Sequence, residues 1–143
     1  LVSKPTIPLK TYANYDVFKL YLLDVGLLNA MANVSEQILL NKNQILIEFK
    51  GALTEQFVAQ ELVQRFDLHY WTAENATAEL DYIIQKNQTI IPIEVKAEEN
   101  LKAKSLKVFE EKYQTQNAIR FSMSTYRKED WLTNVPLYGV FGV

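Results

Sequence analysis

From Gly51 onward the apolar positions recur with a helical period. In GALTEQFVAQELVQRF, Ala52, Val58, Ala59, Leu62, Val63 and Phe66 fall on one arc at 100° per residue, which predicts a helix over 52–66. Leu53 and Phe57 lie outside the arc, so the helix is expected to be covered on two sides. Gln56, Gln60, Glu61, Gln64 and Arg65 lie outside it as well. Glu55 falls inside the arc, between Leu62 and Phe66, where an ordinary surface carboxylate does not belong. The pattern then shortens. LHYWT (68–72), ELDYII (79–84) and TIIPIEV (89–95) read as strands, and QKNQ between the last two reads as a hairpin turn. Pro92 marks an edge position or an unpaired N–H. Leu106, Phe109 and Tyr113 at helical spacing predict a second helix over 102–113. AIRFSMS (118–124) reads as a further strand, and the tail VPLYGVF as a last one. The order is therefore helix, three strands, helix, strand. A strand that follows a crossover helix lies parallel to the one before it, here TIIPIEV, by a right-handed connection.

Before Gly51 the pattern is weaker. Residues 1–17 are polar, and Pro5 and Pro8 break any helix, so an extended arm is expected. FKLYLLDVGLLNAM begins like a strand, with a turn at Asp24 and Gly26 and a short helix after it. Ser35 with Glu36 opens another helical piece, and Asn41 to Asn43 punctuate the chain. Residues 1–34 read as an arm and linker, and 35–143 as a folded domain. The first residue is Leu rather than Met, which suggests a fragment of a longer protein.

Composition narrows the chemistry. The chain has 143 residues, 48% of them apolar and 22% charged, the mix of one globular domain. It has no cysteine and one histidine, His69, which excludes disulfide scaffolds, thiol nucleophiles, Cys-based metal sites and His-rich ones. No apolar run approaches the roughly 18 residues of a membrane span, and no signal peptide is visible. A cytoplasmic location without a membrane partner is expected. The net charge is −2. Contact with nucleic acid would therefore need a local patch or a basic neighbour. No GxxxxGK[ST] loop is present, so no ATP site of that kind is expected.

The hairpin carries charges that a half-buried sheet tolerates poorly. Asp81 lies inside ELDYII, and Glu94 and Lys96 stand at i and i+2, on one face of their strand. A two-residue turn at Lys86-Asn87 sets Asp81 opposite Pro92; one at Asn87-Gln88 sets it opposite Glu94. Either register puts Asp81 on the face of Glu94 and Lys96, whereas a three-residue loop would swap the faces. With Glu55 this makes three acids and a lysine. Crowded carboxylates repel and are relieved by a hard divalent cation. Such a cation polarises a phosphodiester and acidifies a bound water, while the lysine serves that water or the charge growing on phosphorus.

Asp81, then Glu94-Val95-Lys96 on the next strand, resembles the PD-(D/E)XK nucleases of the restriction-endonuclease-like fold. Their αβββαβ core has the order read above, and their extra acid on the first helix corresponds to Glu55. Leu80 stands where the motif has proline. FKLYLLDVGLL, GALTEQFVAQELV, YWTAENATAELDYII, IIPIEVKAEENLKAKSL and NVPLYGVF together resemble the C-terminal domain of unknown function that follows an AAA+ ATPase module in bacterial and archaeal proteins. The resemblance implies an α/β fold with a mixed sheet flanked by helices. It implies Glu55, Asp81, Glu94 and Lys96 as catalytic residues, and Glu55, Asp81, Glu94 and Val95 as ligands of Mg²⁺ or Mn²⁺. It further implies an ATPase module of the same polypeptide as partner, a preceding winged-helix segment ending in residues 1–17, a nucleic-acid substrate and a homo-oligomer.

Plainer readings stand beside these. Glu55 can serve the helix macrodipole in a first turn, and Asp81 with Lys96 can be an ion pair that sets register. Lys102, Lys104, Lys107 and Arg120 form either a phosphate-contacting patch or, with Glu98, Glu99, Glu110 and Glu111 nearby, a solvated mixed-charge surface. His69, Tyr70 and Trp71 read as packed sheet residues. Two functions follow: a Mg²⁺-dependent phosphodiesterase acting on DNA or RNA, or an inactive nuclease-fold module that binds or regulates the ATPase or another partner.

Overall fold

The computed structural model describes residues 1–34, 47–74, 77–98 and 102–143. The helical piece expected at Ser35 and Glu36, and the punctuation at Asn41 to Asn43, lie outside the described residues. Among the described residues, three α-helices, α1 (Val25–Met31), α2 (Ile47–Leu62) and α3 (Lys104–Tyr113), accompany six strands. The strands are β1 (His69–Thr72), β2 (Glu79–Lys86), β3 (Thr89–Val95), β4 (Ala118–Ser122), β5 (Arg127–Lys128) and β6 (Leu132–Pro136). They form one mixed sheet in the order β1-β2-β3-β4-β6-β5. β4 runs parallel to β3 across the α3 crossover, as expected, and β6 runs parallel to β4.

The sheet is covered on both faces, which is why its central strands are nearly continuous apolar runs. Val58, Ala59 and Leu62 of α2 pack on Tyr82, Ile84, Ile91, Ile93, Val95 and Phe121. Leu106 and Phe109 of α3 pack on Trp71, Leu80, Ile83, Ala118 and Leu132. The Trp71 ring meets Phe109 edge-on at 5.1 Å, a favourable orientation for two quadrupoles.

Several expectations are corrected. β3 is central, so Pro92 is no edge residue; it sits opposite Ile83. α2 ends at Leu62, which leaves Val63 exposed and Phe66 beyond the helix. The last strand is Leu132–Pro136, and Leu137–Gly142 turns into a 3₁₀ helix because Pro136 cannot extend a ladder. Residues 1–17 are no extended arm: Val2 and Leu9 are buried in the α3-side core, Val2 N–H donates to the Tyr70 carbonyl, and Leu9–Tyr12 forms a 3₁₀ turn.

Residues 18–23 form a strap rather than a strand, held by a side chain of α2. Gln56 is buried, its Oε1 accepting from Leu22 N–H and its Nε2 donating to Leu22 O, both at 2.8 Å. One turn on, Gln60 Oε1 accepts from Val25 N–H at 3.0 Å. Asp24 then caps α1 by accepting from Leu27 N–H at 2.8 Å.

Candidate functional site

The β2–β3 register pairs Lys86 with Thr89 and Tyr82 with Ile93, so the turn is Asn87-Gln88. Asn87 has φ 57°, the left-handed region that Asn tolerates. One further step would set Asp81 against Glu94. A bulge intervenes: Leu80 to Ile83 on β2 spans the same stretch as Trp71 to His69 on β1, three steps against two. Tyr82 keeps the α2 face that Ile84 also shows, and its hydroxyl donates to the Glu55 carbonyl oxygen at 2.8 Å, while the break in alternation falls at Asp81 between Tyr82 and Leu80. The Asp81 carboxylate accepts the Val95 N–H at 2.6 Å.

Asp81 is pushed up to about 7, first by burial and then by the charge of Glu55. The Val95 hydrogen bond and Lys19 oppose the rise, and Glu94 adds to it. Burial also raises Glu55, against the charges of Lys19 and Lys96. Lys19, from the strap, is thus a cation of this site that sequence reasoning missed. Its Nζ lies 2.5 Å from Glu79 Oε1 and 5.2 Å from the centre of the Tyr70 ring. Burial disfavours its charge, but Glu79, Tyr21 and Asp81 outweigh that and hold its pKa above the usual value. Lys19 and Tyr21 line both a cavity of about 360 Å³ that reaches Asp81 and Tyr82 and one of about 320 Å³ that reaches Glu55.

Glu94 belongs to a different neighbourhood. Ile93 and Val95 face α2, so Glu94 between them points to the α3 side, beside its β4 partner Arg120. Both are buried, at 4% and 2% exposure. Glu94 Oε1 is 2.8 Å from Lys96 Nζ, while Oε2 is buried without a hydrogen-bond partner among the described residues. Arg120 Nε donates to Asn134 Oδ1 at 3.0 Å, and the same oxygen accepts from Ser122 Oγ at 2.8 Å. Asn134 Nδ2 donates to the Thr125 carbonyl at 2.8 Å. Arg120 is therefore the centre of a buried polar row across β3, β4 and β6, not a surface residue. No local period signals this, because its partner Asn134 lies on another strand. Lys96 stands just past β3 beside Gly51 at the start of α2, close enough to lower Glu55.

The four sequence-predicted residues thus fall into two pairs rather than one cluster. Glu55 and Asp81 share the space under Lys19, and Glu94 is paired with Lys96. Among the described residues no group of three Asp, Glu or His side chains comes together as a metal ion would need. His69 is a packed sheet residue whose pKa is lowered by burial. Among the described residues no helix is long and apolar enough to cross a membrane.

Nothing among curated proteins or solved structures matches this chain. A family model described as a domain of unknown function, DUF4143, matches residues 50–139. That stretch holds Glu55, Asp81, Glu94, Lys96, the buried Arg120 and its partner Asn134, and it covers more than half of the chain. The protein is a member of this DUF4143 family.

Proposed function

We propose that this chain is a non-catalytic module of nuclease-like fold that binds or regulates a partner, in the first place an AAA+ ATPase module of its own polypeptide. One observation carries the reading: the acids that would have to share a metal are taken up by the protein itself. Lys19 lies over the Glu55, Glu79 and Asp81 side. The Val95 N–H holds Asp81, and Lys96 holds Glu94. The strap also presents Phe18, Leu20 and Leu23 outward at 73%, 82% and 84% exposure. Adjacent large apolar side chains in water mark contact surfaces.

A second reading, a Mg²⁺- or Mn²⁺-dependent phosphodiesterase acting on DNA or RNA, is favoured by the unpartnered Glu94 Oε2 and the crowding felt at Asp81. In that reading Glu55, Asp81, Glu94 and Val95 hold the cation, which acidifies a water, and Lys96 serves that water. The two are separated by heating the protein with and without millimolar Mg²⁺ or Mn²⁺ and by incubating it with labelled single- and double-stranded DNA and RNA. The binding module gives an unchanged midpoint and intact substrates. Metal-dependent cleavage that disappears in Lys96→Ala, with a metal-induced rise in midpoint that disappears in Asp81→Asn, would overturn it.

A further inference from the structure

The strap and the residues before it arch over β1 and β2, beyond the end of α2, and enclose the cavity of about 360 Å³ that reaches Asp81 and Tyr82. That size lies at the lower end of small-molecule cavities, with room for one ring and a short tail. Its walls are aromatic: Tyr15, Phe18, Tyr21, Tyr70 and Tyr82 all line it. The Tyr21 and Tyr82 rings meet at 46° with their centres 5.8 Å apart, so they form a corner rather than a parallel stack. Aromatic faces carry partial negative charge and attract cations. The chain already uses this wall in that way, because the Lys19 ammonium lies 5.2 Å from the centre of the Tyr70 ring.

Most polar groups of the lining are spent on one another. Lys10 pairs with Asp67 at 3.4 Å, both of them exposed. The Leu1 amino group donates to the Asn14 and Val17 carbonyls. Lys19 pairs with Glu79, which does not line the cavity. Three lining groups are left over. Asp81 accepts the Val95 N–H through Oδ2 and has no ion-pair partner among the described residues. The Tyr21 hydroxyl oxygen and His69 Nδ1 are buried without a hydrogen-bond partner among the described residues. Each can accept a hydrogen bond, and polar atoms buried unpaired are costly. A carboxylate and two further acceptors along one aromatic cavity favour an occupant that brings donors and positive charge. An anionic ligand would meet Asp81 with like charge, and a bare metal ion would leave the rings unused.

We propose that this cavity binds a small arylalkylamine, its ring against the aromatic walls and its ammonium group at Asp81 and Tyr21. An ammonium has three N–H donors and no acceptor, the complement of the atoms left over. Its hydrogen bond to a carboxylate is charge-assisted, and the adjoining rings add cation–π attraction.

The test is titration calorimetry of the 143-residue chain with 2-phenylethylamine at pH 8 in buffer containing EDTA. Saturable binding is expected at or below millimolar amine. The uncharged analogue 2-phenylethanol, alike in shape, should bind at least tenfold more weakly, and Asp81→Asn should weaken binding of the amine at least tenfold. Glu111→Gln, which removes an exposed acid of α3 on the opposite face of the sheet, should bind like the wild type. Circular dichroism checks that both variants fold, and the comparison of amine with alcohol needs no variant. The proposal is overturned by no saturable binding at millimolar amine, by equal affinity for amine and alcohol, or by equal losses in Asp81→Asn and Glu111→Gln. EDTA withholds metal ions and no nucleic acid is present, so this outcome is independent of the metal and cleavage tests.

Discussion

Asp81→Asn should make the protein more stable, and increasingly so as the pH rises. The Asp81 carboxyl titrates at about 7 in the folded chain instead of 3.8, because burial and then Glu55 disfavour its charge. The folded state therefore holds this proton more tightly than the unfolded chain. Its contribution to stability is fully present below pH 3.8 and is lost as the pH rises through about 7. A displacement of that size corresponds to about 4 kcal/mol once both states are ionised. Asparagine removes the charge and keeps an oxygen for the Val95 N–H. The gap between variant and wild type should reach about 4 kcal/mol at pH 8 and about 2 kcal/mol at pH 5, where only the unfolded chain is ionised. Urea denaturation at pH 5, 6, 7 and 8 measures it directly, and the thermal midpoints should separate by a further several degrees across the same range. A gap that stays constant or narrows from pH 5 to pH 8 would refute the argument, because it would mean that Asp81 is ionised in the folded protein throughout.

Other substitutions probe the remaining contacts. Lys96→Met leaves the buried Glu94 without its cation; since Lys96 is itself 37% exposed and partly screened by water, a loss of about 1–3 kcal/mol is expected, reversed by adding Glu94→Gln. Gln56→Leu orphans both backbone groups of Leu22 and should cost about 2–4 kcal/mol, with faster hydrogen exchange at the Leu22 and Val25 amides. Asn134→Ala removes the acceptor shared by Arg120 and Ser122 and should destabilise by about 2–4 kcal/mol in chemical denaturation. Phe18→Ser with Leu20→Ser, both on the water side of the strap, should move stability by less than about 0.5 kcal/mol.

What the chain reveals by itself follows from how local each signal is. The helix at α2, the β2–β3 hairpin and the crossover through α3 rest on spacing within a short window, and each forms, although α2 runs 47–62 rather than 52–66. The hairpin register is one of the two that turn chemistry allows. The bulge at Asp81 and Tyr82 depends on how β2 pairs with β1, which no alternation within β2 records. Because of it, Asp81 ends at the Val95 N–H and under Lys19 instead of in a single row with Glu94. Arg120 misleads for a related reason. A cation near three lysines reads as surface, and its burial depends on Asn134 and Glu94 arriving on the neighbouring strands. Gln56 is the same case on α2: its polar side chain sits outside the apolar arc, yet it is buried because Leu22 needs both a donor and an acceptor there. Lys19 lies in a stretch whose pattern suggested a strand, so nothing linked it to acids 36 and 62 positions further along.

The grip of Gln56 on Leu22 separates two kinds of constraint along the strap. An amide that accepts from one backbone N–H and donates to the same residue's carbonyl imitates a rung of a β-ladder, and it is indifferent to the side chain attached there. The path of the strap is thus held by α2 at main-chain atoms, while the side chains of Phe18, Leu20 and Leu23 stand largely exposed among the described residues. They can be exchanged during evolution without refolding the domain, so that a change of partner needs new letters in the strap and no new architecture beneath it.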